Sequence, residues 1–137
     1  MNAADTSTVV AAFASWHQNH DAARDALDAG LRLIEHCALE TYSVLTRLPA
    51  PHRSSGPVVR DFLAARFPDP LLRLSPRLHR NFLMQLPEHG ISGGAAYDAL
   101  VAATAVANDA ELVTCDRRAL SVYEAYGLRV HFLQSTR

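Results

Sequence analysis

The chain has 137 residues, 49% hydrophobic and 20% charged, which is enough for one buried core and too short for a two-domain enzyme. Six glycines and two cysteines exclude a collagenous chain and a disulfide scaffold, and because all 13 basic residues are Arg, no Walker A loop or lysine Schiff base can form. The net charge of -1 hides an asymmetry, since Arg47 to Arg80 carries seven arginines against Asp61 and Asp69 while the rest of the chain is acidic.

Met1 to Ala4 reads as a short strand ending at Asp5, and the hydroxyls of Thr6, Ser7 and Thr8 are expected to cap an apolar helix running through Val9 to Trp16. His20 to Ala29 has Ala23, Ala26 and Leu27 at helical spacing, with Gly30 as its stop. Leu31 to Ile34 suits a second strand, and Cys37 to Leu48 a helix carrying Glu40 in its first turns. Residues 49–57, rich in Pro, Ser and Gly, form the strongest loop signal. A helix over Val58 to Phe67 closes at Pro68, and Leu71 to Leu74 is a third strand candidate. Ser75 before Pro76 is a favoured helix start, with Leu78, Phe82, Leu83 and Leu86 at helical spacing behind it. After the turn Gly90 to Gly94, Ala95 to Asn108 reads as a close-packed helix with Asp98 near its start. Glu111 to Thr114 is then a fourth strand running to Asp116, Arg118 to Tyr126 a helix stopped at Gly127, and Arg129 to Leu133 a fifth strand.

Strands alternating with helices predict an α/β fold: a three-layer α/β/α domain spanning residues 1–137, with a short parallel sheet of about five strands. The opening residues show no basic stretch followed by an apolar run, and no apolar run reaches the roughly 18 residues of a membrane span, so a cytoplasmic protein with no membrane partner is expected. Cys37 and Cys115 are expected to be reduced thiols without an assigned role.

Asp5 and Asp116 fall at strand ends and Glu40 and Asp98 early in helices, so the topology is expected to bring all four to the carboxyl edge of the sheet. Each acid alone has a plain structural explanation as a cap or an exposed helical residue. Together they repel unless a cation sits among them, and oxygen ligands suit Mg²⁺ or Mn²⁺. A basic stretch with an acidic cluster is the charge pattern of an enzyme acting on nucleic acid, although a solvated Arg-rich face explains the charges alone.

Four segments carry a family resemblance: Ala4-Asp5-Thr6-Ser7, the Glu40 to Pro49 stretch, Tyr97-Asp98-Ala99-Leu100 with the alanines after it, and Leu112-Val113-Thr114-Cys115-Asp116-Arg117-Arg118-Ala119. In this order and spacing the chain resembles PIN-domain proteins of the VapC toxin type over nearly its whole length. The resemblance implies a Mg²⁺- or Mn²⁺-dependent endoribonuclease that leaves 5′-phosphate and 3′-hydroxyl ends on structured RNA such as tRNA. It implies that Asp5, Glu40, Asp98 and Asp116 are the catalytic and metal-holding acids, supported by the hydroxyls of Thr6, Ser7 and Thr114. It also implies a homodimer and a VapB-type antitoxin, with DNA reached only through that antitoxin. Arg47, Arg53, Arg117 and Arg118 are candidate phosphate contacts.

Two other readings compete. The domain could be a binding subunit of a toxin–antitoxin repressor complex with little catalysis, or the seven histidines could cleave RNA without metal by general acid and base. Zinc at His17 with His20, or at His36 with Cys37, lacks a second ligand pair at suitable spacing. Trp16, Phe13, Phe62, Phe67, Phe82, Tyr42 and Tyr97 are expected in the core or at an interface rather than as base-stacking platforms.

Overall fold

Two adjacent alanines set the centre of the protein. Ala3 and Ala4 are wholly buried in the strand Asn2–Ala4 (β1), and their small side chains let helices approach the sheet closely on either side. In the computed structural model, which describes residues 1–135, β1 is flanked by Arg32–Leu33 (β2) and Glu111–Thr114 (β3), and Val130–Phe132 (β4) closes the far edge. The order is β2-β1-β3-β4 and every pairing is parallel, with Ala4 opposite both Leu33 and Val113. The last two residues of the expected domain lie outside the described range.

Among the described residues seven α-helices connect and cover these strands: Thr6–Phe13 (α1), His20–Asp28 (α2), Glu35–Arg47 (α3), Gly56–Arg66 (α4), Pro76–Gln85 (α5), Ala95–Ala107 (α6) and Leu120–Ala125 (α7). The buried helix faces are again small. Ala11 and Ala12 of α1 and Ala99, Ala102 and Ala105 of α6 sit in the core beside Leu112 and Val113 of β3. Phe13 meets Phe62 edge to face at 5.2 Å and 86°, which ties α1 to α4.

Among the described residues the sheet has four strands rather than about five. The segment from Leu71 to Leu74 makes only a one-residue bridge, Ile34 to Leu72, through Leu72 N–H to Leu33 O and Glu35 N–H to Leu72 O. Pro68 and Pro70 before it and Pro76 after it lack the amides that a longer ladder requires. The strand ending before Asp116 is therefore the third in the chain.

Three helix limits also differ from expectation. Asp5, rather than the hydroxyls after it, caps α1, because its carboxylate accepts Thr8 N–H. The helix stops at Phe13 with Ala14 extended, so Trp16 lies outside it and packs on His52 instead. The expected helix over 118–126 divides into a 3₁₀ turn at Arg117–Ala119 and α7, since the Asp116 side chain captures Arg118 N–H and tightens the first turn. Ser75 caps α5 through Leu78 N–H as the Ser-Pro pair predicts, and Gly30 ends α2 at φ 106.

Candidate active site

The chain leaves β1 toward β2 on one side and later adds β3 on the other, so the strand order reverses between β1 and β3. Loops diverging from adjacent strands open a crevice at their carboxyl ends. Here it is a cleft of about 590 Å³, and Asp5, Glu40, Asp98 and Asp116 all line it. Asp5 follows β1, Asp116 follows β3 by two residues, Glu40 comes from α3, and Asp98 from the first turn of α6.

Asp5 is 3% exposed, and its carboxylate is held on both oxygens. Oδ1 accepts Ser7 Oγ–H at 2.6 Å and Thr8 N–H at 3.2 Å, while Oδ2 accepts the hydroxyls of Thr114 and of Tyr123, the latter at 2.8 Å. Burial pushes its pKa above the ordinary value, and the hydroxyl and amide donors pull against that shift. Ser7 Oγ also accepts Cys115 N–H at 2.8 Å, and Thr114 Oγ1 accepts Asp116 N–H at 3.0 Å, so one hydroxyl network joins the ends of β1 and β3.

Asp98 is also raised, first by burial and then by the negative charges of Asp116, Glu40 and Asp5, with Arg118 opposing. Arg118 lines the cleft with its Nη2 3.3 Å from Asp116 Oδ2. On the far wall His36 stacks on Tyr97, with centroids 5.4 Å apart and planes at 12°, and its Nε2 stands 3.4 Å from Glu40 Oε2 without hydrogen-bond geometry. His17, Gln18 and Asn19, between α1 and α2, close one end of the cleft. Burial, and then the nearby His20, lower the pKa of His17.

The expected residues thus separate into three groups. The four acids with Ser7 and Thr114 come together. Thr6 lines the same cleft, but its Oγ1 is buried and makes no hydrogen bond to the Asp5 carboxylate. Of the four arginines only Arg118 is on the cleft wall. Arg117 turns back to lie 4.8 Å over the Phe132 ring, Arg47 donates to Ser43 Oγ, and Arg53 Nε donates to Leu48 O at 2.8 Å. Tyr123 was not among the expected site residues, yet it is 2% exposed with its hydroxyl on Asp5. Its position seven residues after Asp116, two helical turns along, was the available signal.

The donor set suits a hard divalent cation. It consists of carboxylate oxygens backed by hydroxyls. Among the described residues no group of three or more His, Cys, Asp or Glu side chains is arranged to hold a metal ion as it stands.

Carboxylates gathered at the switch point of a small parallel sheet define the class, and the profile of the PIN domain matches residues 3–125: the chain belongs to the PIN-domain family. Within it the similarity is to VapC-type members. The chain is 47% identical to Ribonuclease VapC40 of Mycobacterium tuberculosis over 133 residues, 97% of this chain and 99% of that one. It is 42% identical to Ribonuclease VapC27 of the same organism over 125 residues, 91% of this chain and 84% of that one. The fold is also that of the FitAcB crystal structure from Neisseria gonorrhoeae, with a TM-score of 0.67 at 18% identity over 95% of this chain and 96% of that one.

Proposed function

We propose that the chain is a Mg²⁺- or Mn²⁺-dependent endoribonuclease of the toxin–antitoxin type, acting on structured RNA such as tRNA. The observation that carries this reading is the convergence of Asp5, Glu40, Asp98 and Asp116 on one cleft beside Arg118. The relatives named as ribonucleases support it. So does the hydroxyl network, which fixes a buried carboxylate in one orientation before any ligand arrives.

In this reading Asp5, Glu40, Asp98 and Asp116 hold the divalent ion, directly or through water. When bound, that ion supplies positive charge to the phosphodiester and acidity to a nearby water. Asp5 is pinned by Ser7, Thr114 and Tyr123, so its oxygens do not have to be ordered during the reaction. Asp98, on the cleft wall in the first turn of α6, is placed to take the proton from the attacking water. The water oxygen bonds to phosphorus as the bond to the 3′ oxygen breaks, leaving a 5′-phosphate and a 3′-hydroxyl. Arg118, partnered with Asp116, is placed to hold a phosphate oxygen.

The same reading takes the active form as a cytoplasmic homodimer of a domain spanning residues 1–137, neutralised by a VapB-type antitoxin through which alone it meets DNA. Among the described residues no helix is long and apolar enough to cross a membrane. The test is incubation of the isolated protein with a tRNA pool, with Mn²⁺ or with chelator, followed by mapping of the product ends. Cuts bearing 5′-phosphates, lost with chelator and reduced about 10²- to 10⁴-fold by Asp98→Asn, are expected. Cleavage that survives chelator would move the chemistry to the histidines, and no cleavage under any divalent ion would leave a binding subunit.

A further inference from the structure

We propose that Trp16 and His52 form a seat on which an unpaired nucleobase of the bound RNA stacks, just outside the acidic cleft. The proposal rests on the ribonuclease reading and adds to it where the substrate strand is gripped.

Trp16 is the chain's sole tryptophan and is 48% exposed, although an indole gains more from burial than most side chains. The extended residue Ala14 throws it out of α1, and it lies against the His52 ring at 4.2 Å between centroids and 37° between planes. The imidazole thus supports the indole while leaving about half of the residue's surface open. The next residue, His17, has its ring 6.0 Å from the indole and lines the cleft together with Gln18 and Asn19. The open aromatic surface therefore lies beside a residue of the cleft wall.

The surroundings decide between a base and a protein side chain as occupant. Around Trp16 the chain presents Ser15, His17, Gln18, His52 and Arg53, which are polar or cationic rather than aliphatic. Arg53 follows His52 in the chain and is exposed, with Nε bonded to Leu48 O, and the remaining guanidinium N–H groups are the cation offered to the phosphate next to a stacked base. A flat ring beside a cation is the arrangement that grips single-stranded nucleic acid, because every base has a π-face. A protein partner is better served by the exposed aliphatic set on α5, Leu78, Leu83 and Met84.

Because no other tryptophan contributes, the emission of Trp16 reports directly on the seat. The full chain carrying Asp98→Asn is titrated, with Mn²⁺ present, with a single-stranded RNA hexamer and with an abasic hexamer of equal charge. Saturable quenching by the base-bearing hexamer alone is expected. Trp16→Leu, which keeps apolar bulk but no π-face, weakens hexamer binding and lowers kcat/KM by about 5- to 150-fold, with Trp16→Phe in between. Hexamer binding that leaves the emission and the Trp16→Leu affinity unchanged overturns the seat while Mn²⁺-dependent cleavage by the unaltered chain keeps the ribonuclease reading. Emission that responds to a protein partner and not to the hexamer overturns it in favour of a protein interface. Failure of the unaltered chain to cleave any RNA pool removes both readings.

Discussion

Tyr123→Phe removes one oxygen from the protein and nothing else. The ring stays in its 2% exposed site, so no cavity opens and no helix is perturbed. What is lost is one of four donors to a carboxylate that is itself 3% exposed, on the oxygen also held by Thr114. A hydrogen bond to an ionised group contributes about 1.5–3 kcal/mol, against about 0.5–1.5 kcal/mol between neutral groups. The larger figure applies while Asp5 is charged. Burial has already raised the pKa of Asp5, and losing a donor to the charged form raises it further. A carboxyl with a raised folded pKa keeps a proton that the unfolded chain releases, so its destabilising effect is absent below the ordinary value of 3.8 and grows as pH climbs through the folded value. The variant's deficit is therefore expected to be about 1.5–3 kcal/mol at neutral pH and to shrink under acid. Urea unfolding in chelator at both pH values measures it, with the midpoint lowered and the slope unchanged. Equal stability of variant and parent at neutral pH would refute the reasoning, as would an undiminished deficit in an Asp5→Asn background, where the hydroxyl meets at most a neutral amide oxygen and the coupling should fall to about 0.5–1.5 kcal/mol.

Asp98→Asn is expected to stabilise the metal-free fold at neutral pH while abolishing cleavage, because it deletes a carboxylate whose pKa is raised by burial and by three neighbouring acids. In chelator the gain appears as pH rises above 3.8 through the folded pKa and is absent below it; Mn²⁺ restores the parent's stability. Calorimetry at neutral and acid pH checks this, and a variant less stable than its parent in chelator at neutral pH contradicts it. Leu112→Ala, at a wholly buried position in the middle of β3, should cost about 2–5 kcal/mol by urea unfolding, whereas Leu39→Ala at a 72% exposed position should stay within about 0.5 kcal/mol.

The alternation of strands and helices was legible because each element here is short and clearly punctuated. Gly30, Gly127 and the Ser75-Pro76 pair mark their boundaries by local backbone chemistry, which needs no tertiary information. The acids were legible for a related reason: Asp5 and Asp116 lie within two residues of strand ends, and parallel strands deliver such positions to one edge. The strand over Leu71 to Leu74 shrinks to a one-residue bridge at Leu72, since prolines at 68, 70 and 76 bound the segment and prevent the pairing from extending in either direction, which the apolar pattern alone does not show.

The sequence by itself thus determined the layer order, the parallel sheet and the meeting of Asp5, Glu40, Asp98 and Asp116, since all of these follow from periodicity, punctuation and strand polarity. Only the tertiary structure decided which hydroxyls reach Asp5. Thr114 and Tyr123 are 109 and 118 residues away from it; the first contact depends on β1 lying beside β3 and the second on how α7 docks against the sheet. It also decided that Arg118 faces the cleft while Arg117, its neighbour, lies over Phe132, and that Trp16 stands outside α1 against His52. Side-chain direction at the end of an element depends on a few degrees of backbone torsion set by packing, and that information is spread over the whole fold rather than held in any local run of residues.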